Sequence, residues 1–281
     1  MHKDGKWAKM ILALQEPDDK WGCFHSLSRF YGADITTEQA LRRLERLGFT
    51  QEDACIQKAL SYMNDCLTGR KQIPDRAEKV HDWRIFTSLI LAAWIRRFTI
   101  KNTAANEVAA KWAEILTEAF SGGVYDHMRY TESYLSILGM KPGGGRLIDF
   151  MNFYPISLVS GCLDENTEKA LVRYALSKKD GIYYIYDRPL HILPQKFESR
   201  ETVRYLEAIE LLARFKNARS ELRFVLDWLI ENRAPDGTWD LGKDANDKVH
   251  FPLSDDWRTP DRRKKDSAEW IQALIRQLTA E

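Results

Sequence analysis

The sequence is short of helix breakers. Only 15 of its 281 residues are glycine and 9 are proline, both below average usage. The prolines gather at punctuation points, leaving Asp75 to Lys141 and Gln195 to Ala234 without one, which favours long helices. Charge of one sign is also missing. Forty-two Lys and Arg face 41 Asp and Glu, a net charge of +1, so no basic excess points to nucleic acid and no acidic excess to a disordered, solvating chain. No apolar run approaches the roughly 20 residues of a membrane span; the longest is Phe86 to Ile95. The first apolar stretch, Met10 to Leu14, ends at Gln15, so no secretory leader is expected and the expected compartment is the cytoplasm. Four cysteines, Cys23, Cys55, Cys66 and Cys162, form no CxxC pair, which predicts reduced thiols rather than a disulfide framework. P-loop, GxGxxG, GxSxG and HExxH motifs are absent, removing motif support for nucleotide binding and for serine or metalloprotease chemistry.

What is present is helical periodicity. Ala40, Leu41, Leu44 and Leu47 recur at three and four, with Thr37 as expected N-cap and Gly48 as stop. Ile56, Ala59, Leu60 and Met63 repeat the pattern up to Gly69. Carried along the chain, this reading predicts about twelve helices, near 5–15, 22–31, 37–47, 51–67, 78–98, 103–120, 124–138, 146–160, 165–177, 199–214, 218–233 and 265–279. Asp164 is the expected N-cap of the ninth. Only Gly181 to Tyr186, GIYYIY, reads as strand, from its β-branched and aromatic run. No linker rich in Gly, Ser or Pro divides residues 1–281, which predicts one all-α domain.

The helices repeat. Ala40, Leu44, Leu47, Ile56, Ala59, Leu60 and Tyr62 overlay Ala208, Leu212, Phe215, Leu222, Val225, Leu226 and Trp228, allowing a two-residue gap. The stretch WAKMILALQEPDDKWG at 7–22 matches WLIENRAPDGTWD at 228–240, both ending an amphipathic helix with a Pro-Asp turn and a Trp. Helix-hairpin repeats predict a solenoid or a closed ring. These segments resemble the Gln-Trp repeats of the terpenoid cyclase and protein prenyltransferase superfamily. The resemblance implies a single α/α toroid of about six hairpins with two long rim loops, 180–199 and 240–264. Asp19 stands where the pattern has Gly, and Asn232 where it has Gln. The superfamily's chemistry does not carry over: there is no DxDD proton donor, and the zinc pair Asp-x-Cys is met only in reverse, as Cys162-Leu163-Asp164. No metal and no cofactor are therefore expected, and cyclase or prenyltransferase activity is disfavoured.

Polarity gathers where a ring would place its cavity. His25 and Arg29 share a predicted helix; Asp126, His127, Arg129, Tyr130 and Tyr134 crowd another; Asp149 and Asn152 follow the Pro142 to Arg146 turn. The rim loops add Tyr183, Tyr184, Asp187, Arg188 and His191, and then His250, Asp255, Trp257 and Arg258. Arg262 to Lys265 reads as a solvated basic face. The resulting expectation is a pocket protein for a small to medium polar or anionic organic ligand. Arg146, Arg188 and Arg258 would hold the anion, His127 or His191 would serve as acid or base oriented by Asp149 or Asp187, and Tyr130, Tyr184, Trp239 and Trp257 would line the site. The alternatives are a carbohydrate-active α/α-barrel enzyme, with a sugar stacked on Trp239 or Trp257, and a non-catalytic module binding peptide or protein.

Overall fold

The computed structural model describes residues 2–25, 35–140 and 145–280, and those residues are all-α. The eleven α-helices are α1 (Lys6–Ala13), α2 (Thr37–Arg46), α3 (Ala54–Leu67), α4 (Trp83–Phe98), α5 (Thr103–Ala119), α6 (His127–Leu138), α7 (Phe153–Val159), α8 (Glu165–Ser177), α9 (Arg200–Leu212), α10 (Arg223–Glu231) and α11 (Pro260–Thr279). Short 3-10 turns cover Lys216–Leu222 and Lys243–Ala245. No helix among the described residues is long and apolar enough to cross a membrane.

Local chemistry sets the helix starts. Thr36, not Thr37, caps α2, and with Gln39 it forms a reciprocal capping box. Asp82, Asn102, Asp126, Asn152, Asp164 and Ser199 cap α4 to α9 with side-chain oxygens on first-turn amides. Gly48 and Gly69, the stops expected from sequence, have φ of 90° and 78°, a region that costs other residues.

Three expectations change. Residues 22–25 are not helical, and the rest of the helix expected there, with Arg29, lies outside the described residues, as do Pro142 to Gly144. The helix expected at 146–160 begins only at Phe153, because Asp149 and Asn152 each turn to bond a nearby backbone amide. GIYYIY is a tight turn instead of a strand: Ile182 bridges Tyr186 within it, and Tyr183 bridges Asn152. Gly181, at φ 58°, makes that turn possible, since a Cβ there would stand 2.2 Å from the Tyr186 carbonyl oxygen.

One apolar cluster runs from Ala8 to Leu278. Its centre is α4, buried continuously from Leu89 to Ile95, and α3, α5 and α7 pack around it. A helix apolar all round belongs inside. α6 packs on α5 and buries only Tyr130 and Tyr134, so the polar residues that open it face solvent. The start of α1 docks on the last long loop. The Lys6 amide donates to Asp255 at 2.6 Å, the Trp7 indole N–H donates to the Ser254 carbonyl at 3.1 Å, and His2 lies 3.0 Å from Glu269 on α11.

The two Trp turns are the same structure built twice. The Trp21 indole N–H donates to the Ile11 carbonyl at 2.8 Å, and that of Trp239 to the Leu229 carbonyl at 2.7 Å, each ten residues upstream. Inside the turns, Glu16 N–H bonds Lys20 O as Ala234 N–H bonds Thr238 O. The Gln15 side chain donates to the Asp19 carbonyl as the Arg233 side chain donates to that of Gly237. Arg233, rather than Asn232, therefore fills the glutamine's place. Asp19 and Gly237 share a left-handed conformation, φ 74° and 82°.

Candidate functional site

The polar centre of the molecule starts from α2. Its apolar face, Ala40, Leu41 and Leu44, is fully buried. Its opposite face carries Glu38, Arg42, Glu45 and Arg46, spaced to align along one side of a helix, and that face also turns inward. Arg42 pairs with Glu207 of α9 at 2.8 Å, and Arg46 pairs with Glu210 one turn along. Glu45 accepts from Arg97 of α4 at 2.7 and 2.9 Å and from Arg214 at 3.1 Å. Arg42 and Arg97 stack on Phe153, centroid distances 4.7 and 5.2 Å, and Arg46 lies 4.3 Å over Trp270. The flat guanidinium suits both tasks, since it can fork onto a carboxylate while its face rests on an aromatic ring.

At one end of this axis sits Glu38, whose side chain is 10% exposed. Its carboxylate accepts from the Tyr154 hydroxyl at 2.8 and 2.9 Å and from the Trp94 indole at 3.1 Å, and it lies 2.9 Å from His25 Nδ1. Burial alone would raise this carboxyl, but the bond and charge of His25, with Arg42 and Tyr154, outweigh it and hold Glu38 below the usual range. Burial likewise opposes charge on His25, and Glu38 with the nearby Asp75 and Glu78 reverses that, raising the imidazole above its ordinary value.

Beside Arg42 opens a cleft of about 400 Å³, walled by Tyr183, Tyr184 and Tyr186 of the 181–186 turn, by Arg204 and Glu207 of α9, and by Asp247, Val249 and His250. Asp180 and Asp187 complete its acidic rim. Tyr183 and Tyr184 are 62% and 47% exposed, and Tyr184 holds φ 70°, a conformation that costs a non-glycine residue energy and often marks functional segments. His250 is held by two acids: Nδ1 is 3.0 Å from Asp247, and Nε2 is 2.8 Å from Glu207 but off the line of a good ring N–H bond. Burial would depress His250, yet Glu207 and Asp247 raise it. Asp247 drops to about 2 because the bond and charge of His250 and two backbone amides outweigh burial. A second cavity of about 200 Å³ borders Glu45, Arg46, Arg97, Glu210 and Trp270 farther along the axis.

Comparison with known proteins finds no match. No family model, no curated protein and no solved structure corresponds to the chain.

The residues singled out from sequence divide among cleft, surface and core. Tyr184 and Asp187 line the cleft. Arg188 is exposed and pairs with Glu201 at 2.7 Å; His191 is exposed, its Nδ1 2.9 Å from the Leu176 carbonyl. Asp149 pairs with Lys178 at 2.7 Å, and Arg146 points to solvent. His127 is exposed and bonds Tyr125, while Tyr130 is buried with its hydroxyl on the Ile148 carbonyl. Trp239 is spent on its turn, Trp257 donates to Asp266 at 2.7 Å against Phe251, and Arg258 is exposed. Arg146, Asp149, His191 and Trp257 do not line the cleft of the tyrosine turn, which is walled instead by Arg42, Glu207, Asp247 and His250. The basic run is not simply a solvated face: Arg263 is 8% exposed and grips Asp240 with two bonds, 2.6 and 2.7 Å. Among the described residues no group of His, Cys, Asp and Glu is arranged to hold a metal ion.

These charges set a pH window. Carboxyls held below their unfolded values of about 4 stabilise the fold above that pH and lose the contribution on acidification, for Asp247 between about 4 and 2. His25 and His250, raised in the fold, contribute fully below an unfolded value of about 6.5 and lose it as pH rises through their folded values. The melting temperature should therefore peak between about pH 5 and 6.5 and fall on both sides, with His250→Gln flattening the alkaline fall. Stability that climbs from pH 6.5 to 8 would contradict this.

Proposed function

We propose that this chain is a cytoplasmic pocket protein built as an α/α toroid, and that its cleft binds a small, neutral, hydroxylated organic molecule such as a saccharide. The toroid is supported by the duplicated Trp turns and by α2, α4, α7 and α9 contributing side chains to one polar axis. The ligand class rests on one observation: two exposed tyrosine rings stand over a cleft whose acids, Asp180, Asp187, Glu207 and Asp247, outnumber its arginines, Arg42 and Arg204. Arg42 is already committed to Glu207 and Glu38, and His250 to Glu207 and Asp247. Arg204 thus faces the exposed acids Asp180 and Asp187, and an anionic ligand is disfavoured. Sugar hydroxyls suit carboxylates and guanidinium groups as hydrogen-bond partners, and the apolar face of a sugar ring packs on tyrosine.

Calorimetry and thermal shift with maltose, sugar phosphates and alkylamines test the reading. Maltose at 100 times its dissociation constant should stabilise the fold by about 2.7 kcal/mol, and Tyr184→Ala should weaken binding about tenfold, the roughly 1.4 kcal/mol of a lost aromatic platform. Stabilisation by the phosphates but not by maltose would defeat the proposal.

A further inference from the structure

The cleft wall formed by residues 247–250 is held mainly by charge. Val249 is 41% exposed, so packing at its tip contributes little, and Lys248 sits at φ 61°, a conformation that costs a non-glycine residue energy. Two devices keep the segment in place. Arg43 of α2 fastens its backbone through the carbonyls of Val249, His250 and Pro252. His250 joins it to α9: among the described residues, the contact with Glu207 is the one ion pair between residues 247–250 and that helix. Glu207, Asp247, Val249 and His250 all line the cleft.

This clamp uses both nitrogens of the ring. Asp247 lies 3.0 Å from Nδ1 and Glu207 2.8 Å from Nε2, and an ionised carboxylate can only accept. The imidazolium has an N–H for each acid, whereas the neutral ring has one N–H and one lone pair. Losing the proton therefore sets a lone pair against a carboxylate at contact distance. The geometry decides which side opens. Nδ1 is aligned on Asp247, which also accepts from the Val249 and His250 amides. Nε2 is off the line to Glu207, and Glu207 has a second partner in Arg42 at 2.8 Å. The remaining proton stays on Nδ1, and the separation falls between His250 and α9.

We propose that His250 is a proton-operated latch on the cleft: protonated, it ties the 247–250 wall to α9 and closes the site around its ligand; deprotonated, it releases the wall and weakens binding. This rests on the cleft reading above. Arg43 is the pivot, since its bonds to the segment do not involve the imidazole. The charged and titratable groups facing His250 are Asp247 on its own segment, Glu207 from α9, and Arg43 and Arg46 from α2. From α11 it meets the face of Trp270, stacked at 6.0 Å. Burial opposes charge on the ring, but the two acids outweigh burial and the repulsion of Arg46, so the latch stays shut to a higher pH than an ordinary histidine would hold.

Calorimetry of maltose binding to the full-length protein across pH tests this. Affinity should be level at low pH and then fall about tenfold per unit above the His250 midpoint, since only the protonated fraction binds well. That midpoint should lie above about 6.5. Glu207→Gln should abolish the slope, because the new side-chain amide can turn its oxygen to the imidazolium or its N–H to the neutral Nε2 and keep the wall joined in both states. A merely structural role for Glu207 would leave the slope in place. Two measurements need no variant. Ring-nitrogen NMR of the histidines should show neutral His250 as the Nδ1–H tautomer. Amide protection at Val249 and His250, corrected for the intrinsic base-catalysed rate, should fall about tenfold from about pH 6.5 to about 8.5. The Nε2–H tautomer, or protection unchanged over that range, overturns the proposal. If maltose binds with an affinity that does not fall with pH, the latch is refuted while the cleft reading stands. If maltose does not bind, the cleft reading falls, and tautomer and protection still decide whether the wall is released.

Discussion

Glu45→Ala should cost about 3 kcal/mol of stability, the loss typical of breaking a buried ion pair from one side, or roughly 8 °C in melting temperature for a chain of this size. Glu45 is the shared acceptor of Arg97 and Arg214, with Arg46 beside it. Without it, two guanidinium groups confront each other in a confined space. Arg97 is already strained in this sense, pushed down to about 10 by burial and then by the like charge of Arg214. The Glu45 side chain is 25% exposed, so solvent screens part of the penalty, which is why the lower end of the range applies. Glu45→Met combined with Arg97→Met should recover most of the loss, because apolar groups of similar volume carry no desolvation cost. A loss below about 1 kcal/mol in the single variant, the value of a surface pair, would mean that the axis is effectively water.

Arg43→Ala should be at least as damaging, at about 4 kcal/mol, and its effect should be concentrated in the cleft wall. Arg43 is 4% exposed and donates to the carbonyls of Val249, His250 and Pro252. Hydrogen bonds to a charged donor contribute about 1.5 to 3 kcal/mol each, and three on one side chain do not add fully. Asp247 and Asp266 flank the guanidinium and would each lose a favourable charge interaction. Amide hydrogen exchange at residues 247–254 should rise far more than in α4 or α5. Arg43→Lys should fall between, since a single ammonium cannot span three carbonyls as a planar fork does. Unchanged protection at residues 249–253 would refute the anchoring role.

The helical class and most helix ends could be read from the sequence because they depend on neighbours a few residues apart. The spacing of Ala40, Leu41 and Leu44 is visible to the eye, and Asp164 caps α8 as expected. The Trp turns were legible because their bonds close within a short segment. The polar axis was not. By periodicity α2 is an ordinary amphipathic helix whose charged face meets solvent, and nothing within residues 37–46 shows that the face is instead covered. The one available signal lay in two segments taken together: Arg42, Arg46 and Glu45 complement in sign Glu207, Glu210 and Arg214 on and after α9. Local clustering of polar residues points to His127 at a helix start and to Arg188 and His191 in a rim loop. Solvent claims such residues first, whereas Glu38 and Tyr154 meet across more than a hundred positions.

The docking of α1 on the last long loop bears on the order in which the molecule assembles. Its bonds join residues 247 to 267 positions apart, whereas α3 through α7 meet near neighbours in the chain. Doubling a loop adds only about 0.6 kcal/mol of closure entropy, so joining such distant segments is thermodynamically cheap once the rest is in place. Contacts of high sequence separation are nonetheless slow to find. The bundle around α4 is therefore expected to nucleate first, and the cleft, whose walls come from α2, the 181–186 turn, α9 and the 247–250 loop, to acquire its shape only when the two ends of the chain meet.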